Sequence, residues 1–477
     1  MMVSSVDPAI GQDIDDVFAA QRARALELRR STARQRIDTL RRLISAVESH
    51  REDICAAAAA DFGKPRPEVD LTELLPIIAE AKHAVRHLEG WMRPHRVPPT
   101  LAMLGTSAEI RYEPRGVTLI IVPWNYPFNL AFCPLVSAIA AGNTAIIKPS
   151  EMTPHCSALT RRLVEEIFDR SEVAVFEGDA TVATALLEHP FDHVFFTGSP
   201  QVGRLVMAAA AKHLTSVTLE LGGKSPAIVD ATADLKKAAR SITAGKFANS
   251  GQTCIAPDYL LVHAGVKDRL VAEIVRSIEH AYGAGPDSQR ATPDYCRIVN
   301  EKHYERVRGL FDDAVSRGAK IVYGGTLARD DRFIGPTLVA DVPPGSRIME
   351  EEIFGPLLPI VTFTDIGDAI AFVNSKPKPL SLYVFSRSQP VIDRVLTETS
   401  AGDTCVNHTV IHFLHLNLPF GGVNNSGIGK SHGFFGFTAF SHERSVLRDR
   451  WSIVHWMFPP YTGRVRKLIA LTLKWFT

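Results

Sequence analysis

The chain has few cysteines and nothing to pair them: Cys55, Cys133, Cys156, Cys254, Cys296 and Cys405 are scattered, with no CxxC and no histidine at ligand spacing. That argues against structural zinc and for a reducing compartment. Charge of one sign is also missing. Lys and Arg number 53 against 52 Asp and Glu, a net +1, so no global field draws the protein to nucleic acid. No stretch approaches the ~18 to 20 apolar residues that cross a bilayer, because charge, Pro or Gly interrupts every long apolar run. The opening Met1-Met2-Val3-Ser4-Ser5-Val6-Asp7-Pro8 lacks the basic start and apolar core of a secretory signal, so a cytosolic protein is expected. Internal repeats and low-complexity segments are absent as well. What is present is an ordinary globular composition, 45% hydrophobic and 22% charged, over 477 residues, enough for two or three substantial cores.

From Asp15 to about Trp91 the apolar spacing is helical, as in Leu40, Leu43, Ile44 and Val47. After the Pro-rich stretch 94–99 the texture changes to βαβ. Short apolar runs at 117–122, 144–147, 173–176 and 193–196 alternate with predicted helices at 128–141, 154–169, 180–188 and 200–213. Runs that do not alternate polar and apolar suit strands covered on both faces, as in a parallel sheet wound by helices. One doubly wound α/β unit therefore ends near residue 220. A second alternation follows, with strands predicted at 227–229, 260–262, 360–363, 382–385 and 404–406 and helices at about 234–249, 267–282 and 301–317. Two adjacent α/β lobes offer a cleft for a ligand.

Several segments sit where chemistry is possible, each with a plainer reading beside it. Gly198-Ser199-Pro200-Gln201-Val202-Gly203 joins a strand to a helix, where free N–H groups attract a pyrophosphate, although GxGxxG is absent and the turn is also ordinary punctuation. Lys148 and Glu151 follow a buried strand at the carboxyl edge, where they suit ribose hydroxyls or simply start a helix. Cys254 lies in a Gly-containing loop after a helix, the access a thiolate nucleophile needs, or else is a small buried residue. Glu220 is a carboxylate within an apolar strand that breaks into Gly222-Gly223, which raises its pKa towards that of a general base unless it pairs with Lys224. Asn125, between Pro123 and Pro127, is a rigidly held amide fit to donate to an oxyanion, or a plain turn residue. Glu351-Glu352-Ile353-Phe354-Gly355-Pro356 offers a carboxylate and a ring wall, or ends a helix.

Together PWNYPFNL, KPSE, FTGSPQVG, LELGGKSP, GQTCIAPD, EEIFGP and PFGGVNNSG resemble the motifs of the aldehyde dehydrogenase superfamily in family order, from about residue 15 to 445, with Cys254 34 residues after Glu220. KPSE, GQTCIAPDY and the closing HGFFGFTAFSHERSV are most similar to the class 3 branch of fatty, aromatic and coniferyl-type enzymes. The resemblance implies an NAD(P)-binding Rossmann-type domain over 1–220, including the helical N-terminal region and an oligomerisation strand near 109–113. It further implies a catalytic domain over 221–430, and over 431–477 an oligomerisation strand near 438–446 and a tail. A homodimer is expected. The resemblance makes Cys254 the nucleophile, Glu220 the base and Asn125, with the Cys254 N–H, the oxyanion holder. It places Lys148 and Glu151 at the adenosine ribose, Gly198 and Ser199 at the pyrophosphate with Gly203 closing the GSxxxG form, and Glu352 and Phe354 at the nicotinamide end. Pro123 and Trp124 complete the cofactor set. Glu151 favours NAD, with NADP use left open.

The implied reaction oxidises an aldehyde to the acid through a thiohemiacetal and a thioester, with a coenzyme A-acylating enzyme and a silent membrane-associated binding protein as rivals. Trp124, Tyr126, Phe128, Phe413 and Leu414 suggest an aromatic or medium-to-long aliphatic substrate. One departure from the family pattern is Asn424 where Gly is usual, a position Asn fills in a left-handed conformation. The tail from Arg450 alternates Arg464, Arg466, Lys467 and Lys474 with Val465, Leu468, Ile469, Leu471, Leu473, Trp475 and Phe476, which suits a peripheral membrane contact or packing over the substrate entrance. His408, His412 and His415 have helical spacing in a strand-and-loop setting, so no metal is expected.

Overall fold

The computed structural model describes residues 6–100, 103–452 and 454–476. The first five residues and the side chains of Trp475 and Phe476, named above, lie outside that set. The N-terminal helices form where the apolar spacing predicts them. Ala33–Ser49 buries Leu40, Leu43, Ile44 and Val47, and a capping box between Thr32 and Gln35 starts it. A longer helix begins at Arg66–Val69, passes through a π turn at Asp70–Leu74 and continues over Leu75–Trp91. Such π turns mark a locally displaced helix, and this one carries the fully buried Glu73.

The first sheet has six strands in the spatial order Gly427–Ile428, Ser216–Leu221, His193–Gly198, Val117–Ile121, Thr144–Lys148 and Val173–Val175. All neighbours are parallel except the first pair. Helices Asn129–Ala141 and Pro154–Ile167 close one face, while Pro8–Leu28, Ala180–Leu187 and Pro200–Ala211 lie on the other, giving two separate cores on the two sides of the sheet. The pure Val/Ile/Leu runs of the sequence are thus strands buried on both faces.

The second sheet has seven strands, ordered Lys320–Tyr323, Thr337–Ala340, Leu357–Phe363, Tyr259–His263, Pro226–Val229, Ser381–Phe385 and Asp403–Val406. Only the outermost Lys320–Tyr323 runs antiparallel to its neighbour. That strand, half exposed, and Thr337–Ala340 are absent from the strands predicted from the sequence. The fold is α/β, a Rossmann-type unit and a second α/β unit.

A third sheet pairs His95–Val97 with Thr106–Pro114 and then Ser441–Asp449, all antiparallel. Among the described residues its nine-residue outer strand Ser441–Asp449 has a neighbour on one side only.

One boundary differs from the sequence reading. The stretch assigned to the second unit as far as residue 430 returns to the first sheet earlier, where Gly427 and Ile428 pair with Glu220 and Leu219. Helix Gly433–Ala439 then packs on Asn129–Ala141 and Leu75–Trp91. The reason is that Ser216–Leu221 would otherwise leave an open sheet edge, which the returning chain covers.

Candidate active site

The carboxyl ends of three adjacent strands of the first sheet set one side of the site. Ile121 is in register with Lys148 on one neighbour and Phe196 on the other, so the turns after residues 121, 148 and 198 open on one crevice. Ligands of open α/β sheets bind there. Lys148 is buried and its Nζ lies 2.9 Å from Glu151 Oε2. Ser199 caps helix Pro200–Ala211, its hydroxyl accepting from Val202 N–H at 3.3 Å. A Cβ on Gly198 would stand 2.6 Å from the Phe196 ring, and one on Gly203 2.7 Å from Leu221, so glycine lets this helix sit against its sheet. The buried Thr197 hydroxyl has no partner among the described residues, and Thr197 lines the cavity that Glu220 and Cys254 share. A helix N-terminus at the sheet edge, with a cation and an acid two strands away, fits a dinucleotide.

Trp124, following the central strand, meets Phe354 edge-on at 5.2 Å, which joins the first unit to the loop after helix Arg347–Glu350. Phe354 holds a left-handed φ of 45°. Burial pushes the Glu352 carboxyl up to about 8, with the Asp258 charge adding to the rise. Glu352 sits against Gly222, where a Cβ would stand 2.1 Å from its Oε2.

Cys254 lies just past a turn in which Asn249 and Ser250 both adopt left-handed φ near 50°. Strain of this sort persists only where neighbours over-determine it. Here Asn249 Nδ2 donates to Asn125 O at 2.9 Å, Ser250 Oγ to Cys296 O at 2.6 Å, and Gln252 Nε2 to Arg297 O at 3.1 Å. Gly251 is required because a Cβ there would stand 2.3 Å from Gly355 O. Asn125 Nδ2 donates to Gln252 O at 3.0 Å, and Tyr126 and Thr253 share a hydroxyl bond of 2.6 Å. An amide nitrogen carries two hydrogens, so one bond fixes Asn125 and the other N–H is left to give.

Glu220 and Cys254 line the same cavity, with Asn129, Leu380, Phe413 and Phe420 among its walls. Burial is the main cause that pushes the Glu220 carboxyl up to about 8; the Ser431 hydroxyl, 3.0 Å from Oε1, opposes it. The Cys254 thiol rises to about 12, again chiefly by burial, with the Glu352 and Glu220 charges adding to it. The alternative pairing of Glu220 with Lys224 is not formed. Lys224 is bonded to Asp258 and donates at 2.8 Å to Ile348 O and Glu351 O.

Several residues of the site have no motif to announce them. Lys64 Nζ lies 2.9 Å from Glu73 Oε1 and 3.4 Å from Asn125 O, and Glu73 Oε2 accepts from Asn129 N–H at 2.8 Å. Glu80 lines the cavity beside Glu220 and Cys254. The signal for both acids is their place on the buried stripe of one helix, with Ile77, Ala81 and Ala84. The histidine triplet separates: His408 Nδ1 meets Ser241 Oγ, His412 Nε2 meets Ser381 Oγ at 3.0 Å, and among the described residues no group of three or more His, Cys, Asp or Glu is placed to hold a metal. Asn424 takes a φ of 55°, the left-handed conformation expected of it.

Comparison with known proteins gives a family. Residues 2–446 match the aldehyde dehydrogenase family. Aldehyde dehydrogenase family 3 member H1 of Arabidopsis thaliana is 43% identical over 439 residues, covering 91% of this chain and 90% of that one. The dimeric NADP-preferring aldehyde dehydrogenase of Rattus norvegicus is 42% identical over 432 residues, covering 91% and 92%. The substrate-bound structure of Staphylococcus aureus AldH superposes with a TM-score of 0.91 at 43% identity, over 96% of this chain and 99% of that one.

Proposed function

The chain belongs to the aldehyde dehydrogenase family, NAD(P)-dependent oxidoreductases, and from that premise we propose that Cys254 is its nucleophile, Glu220 its general base and Asn125 its oxyanion donor. The observation that carries this is the shared cavity, in which a cysteine and a desolvated carboxyl face the same space. Ionised Glu220, in the same cavity, takes the Cys254 thiol proton and later releases it, the thiolate adds to the aldehyde carbon, and the resulting oxyanion is held by the free N–H of Asn125 and the Cys254 N–H. NAD(P), when bound, supplies the hydride acceptor. Ionised Glu220 then takes a proton from the water that hydrolyses the Cys254 thioester.

Lys148 and Glu151 are assigned to the ribose, Gly198, Ser199 and Gly203 to the pyrophosphate turn, and Pro123, Trp124, Glu352 and Phe354 to the nicotinamide end. The apolar walls Leu380, Phe413 and Phe420 favour an aromatic or medium-to-long aliphatic aldehyde. The test is NADH formation with benzaldehyde, hexanal, a long-chain aldehyde and succinic semialdehyde, with and without coenzyme A. Hydrolytic turnover of the apolar aldehydes is expected, and strict dependence on coenzyme A would replace this reading with the acylating one.

A homodimer formed through strand Ser441–Asp449 is supported by its unpaired outer edge and exposed Leu447. No helix of the described residues is long and apolar enough to cross a membrane. A peripheral contact through the tail rests on exposed Trp451, Trp456, Phe458 and Tyr461 beside a segment without acidic residues, and is tested by co-sedimentation with anionic vesicles.

A further inference from the structure

The cavity holding Cys254 and Glu220 has a polar wall that the reaction does not use. Glu80 and His432 both line it, only 2% and 8% exposed. Glu80 Oε1 accepts from Gly433 N–H at 2.7 Å, while its Oε2 is buried without a partner among the described residues. His432 Nε2 is likewise buried and unpartnered. Gly433 follows His432 in the chain, and Glu80 and His432 line the same cavity. Leu130, Pro134, Leu380, Phe413 and Phe420 supply its apolar walls, and Asn129, Cys133, Ser137 and Thr197 also line it. Buried polar atoms left unmatched are unfavourable by a few kcal/mol each, so a ligand group that matches them is favoured there.

The hydrogen-bond roles on this wall can be read. Ser431 Oγ lies 3.0 Å from Glu220 Oε1, 3.3 Å from Phe420 O and 3.1 Å from His432 Nδ1. A hydroxyl has one proton to give, and with Glu220 ionised two of these neighbours are pure acceptors. With Glu220 ionised, Nδ1 of His432 carries the hydrogen and donates to Ser431, leaving Nε2 an acceptor; with Glu220 protonated, the run of bonds can reverse through Ser431 and leave Nε2–H a donor. Burial holds the ring neutral, its pKa lowered to about 4, and Phe413 and Phe420 pack edge-on to it at 4.6 and 5.1 Å. Burial also pushes the Glu80 carboxyl up to about 7, so near neutrality it is an acid as often as a carboxylate.

The geometry points to a hydroxyl-recognising subsite: Glu80 Oε2 and His432 Nε2 bind a hydroxyl group on the substrate, remote from the aldehyde carbon. A hydroxyl matches the pair because it both donates and accepts, so it can bond one of the two atoms as donor and the other as acceptor; a methyl group leaves both unmatched, and an ammonium has no acceptor to offer. The inference rests on the assignment of Cys254 and Glu220 above and narrows it to hydroxylated apolar aldehydes.

The test uses matched aldehydes in which hydroxyl replaces methyl: 3- and 4-hydroxybenzaldehyde against 3- and 4-methylbenzaldehyde, and 4-(2-hydroxyethyl)benzaldehyde against 4-propylbenzaldehyde. The quantity read is the hydroxyl-to-methyl ratio of kcat/KM, compared between the parent and Glu80→Leu and His432→Phe, so that the aldehydes' own reactivities cancel. For at least one pair the ratio is expected to fall about tenfold or more in each variant, by loss of hydroxyl turnover and not gain of methyl turnover. Glu80→Gln keeps an acceptor for Gly433 N–H, and with it the fold should Glu80→Leu be lost, and is expected to give an intermediate ratio. An unchanged ratio in the variants that still oxidise the methyl aldehydes overturns the subsite alone. Failure of the parent to oxidise any of the six overturns the assignment of Cys254 and Glu220 with it.

Discussion

Lys64→Met is the sharpest test of how the oxyanion turn is held. Lys64 and Glu73 have side chains with 0% exposure and stand 2.9 Å apart, and Lys64 also lies 3.9 Å from the centre of the Tyr126 ring. Removing the cation leaves a buried carboxylate whose other oxygen anchors the start of helix Asn129–Ala141 through Asn129 N–H. Breaking one side of such a pair is expected to destabilise by about 3–5 kcal/mol, because the remaining charge is desolvated and uncompensated. Burial already raises the Glu73 carboxyl, and the Lys64 charge is the chief opposing influence, so the variant raises it further. A carboxyl raised in the folded state favours folding below its unfolded pKa and loses that contribution as pH climbs through the folded value. The deficit of Lys64→Met is therefore smallest near pH 5 and largest near pH 9, read as the urea midpoint at each pH. Lys64→Met with Glu73→Gln removes both charges and is expected to recover most of the loss. A deficit independent of pH, with no recovery in the double variant, would show that the buried charge is not what the lysine compensates. Activity falls less than stability, since Asn249 Nδ2 still donates to Asn125 O.

Other groups of the site give equally definite outcomes. Because Glu220 must be ionised to take a proton and burial raises it to about 8, the hydrolytic limb of kcat rises about tenfold per pH unit below 8 and levels above it. Ser431→Ala removes the hydroxyl that favours the ionised form, so the same profile shifts to higher pH, which a stopped-flow pH series would show. At Asn424, with φ of 55°, replacement by Ala is expected to lower stability by about 1 kcal/mol while Gly is nearly neutral, as compared by thermal unfolding.

Much of the fold is legible in the sequence because the strands are buried on both faces and therefore read as unbroken apolar runs; 117–122 and 193–196 correspond to Val117–Ile121 and His193–Gly198. Lys320–Tyr323 is not legible on that ground, since this edge strand is half exposed and not buried on both faces. At the site, glycine-marked turns single out Cys254, Glu220 and Gly198 along the chain, whereas Lys64, Glu73, Glu80 and Ser431 are ordinary residues in sequence. Their importance comes from contacts over long separations, such as Ser431 with Glu220 across 211 residues, which no local pattern encodes. Glu73 and Glu80 do leave a trace as acids on an apolar helical stripe, a conflict between local rule and burial that tends to mark function.

The proposed mechanism stands or falls on Glu220 hydrolysing an acyl group carried by Cys254. Glu220→Gln mixed with NAD and benzaldehyde, followed by NADH absorbance and intact-protein mass, examines that step itself. One equivalent of NADH per site, then a stall with a benzoyl group retained on Cys254, is the expected result. Steady turnover at the parent rate with no retained acyl group would remove Glu220 from the role of base.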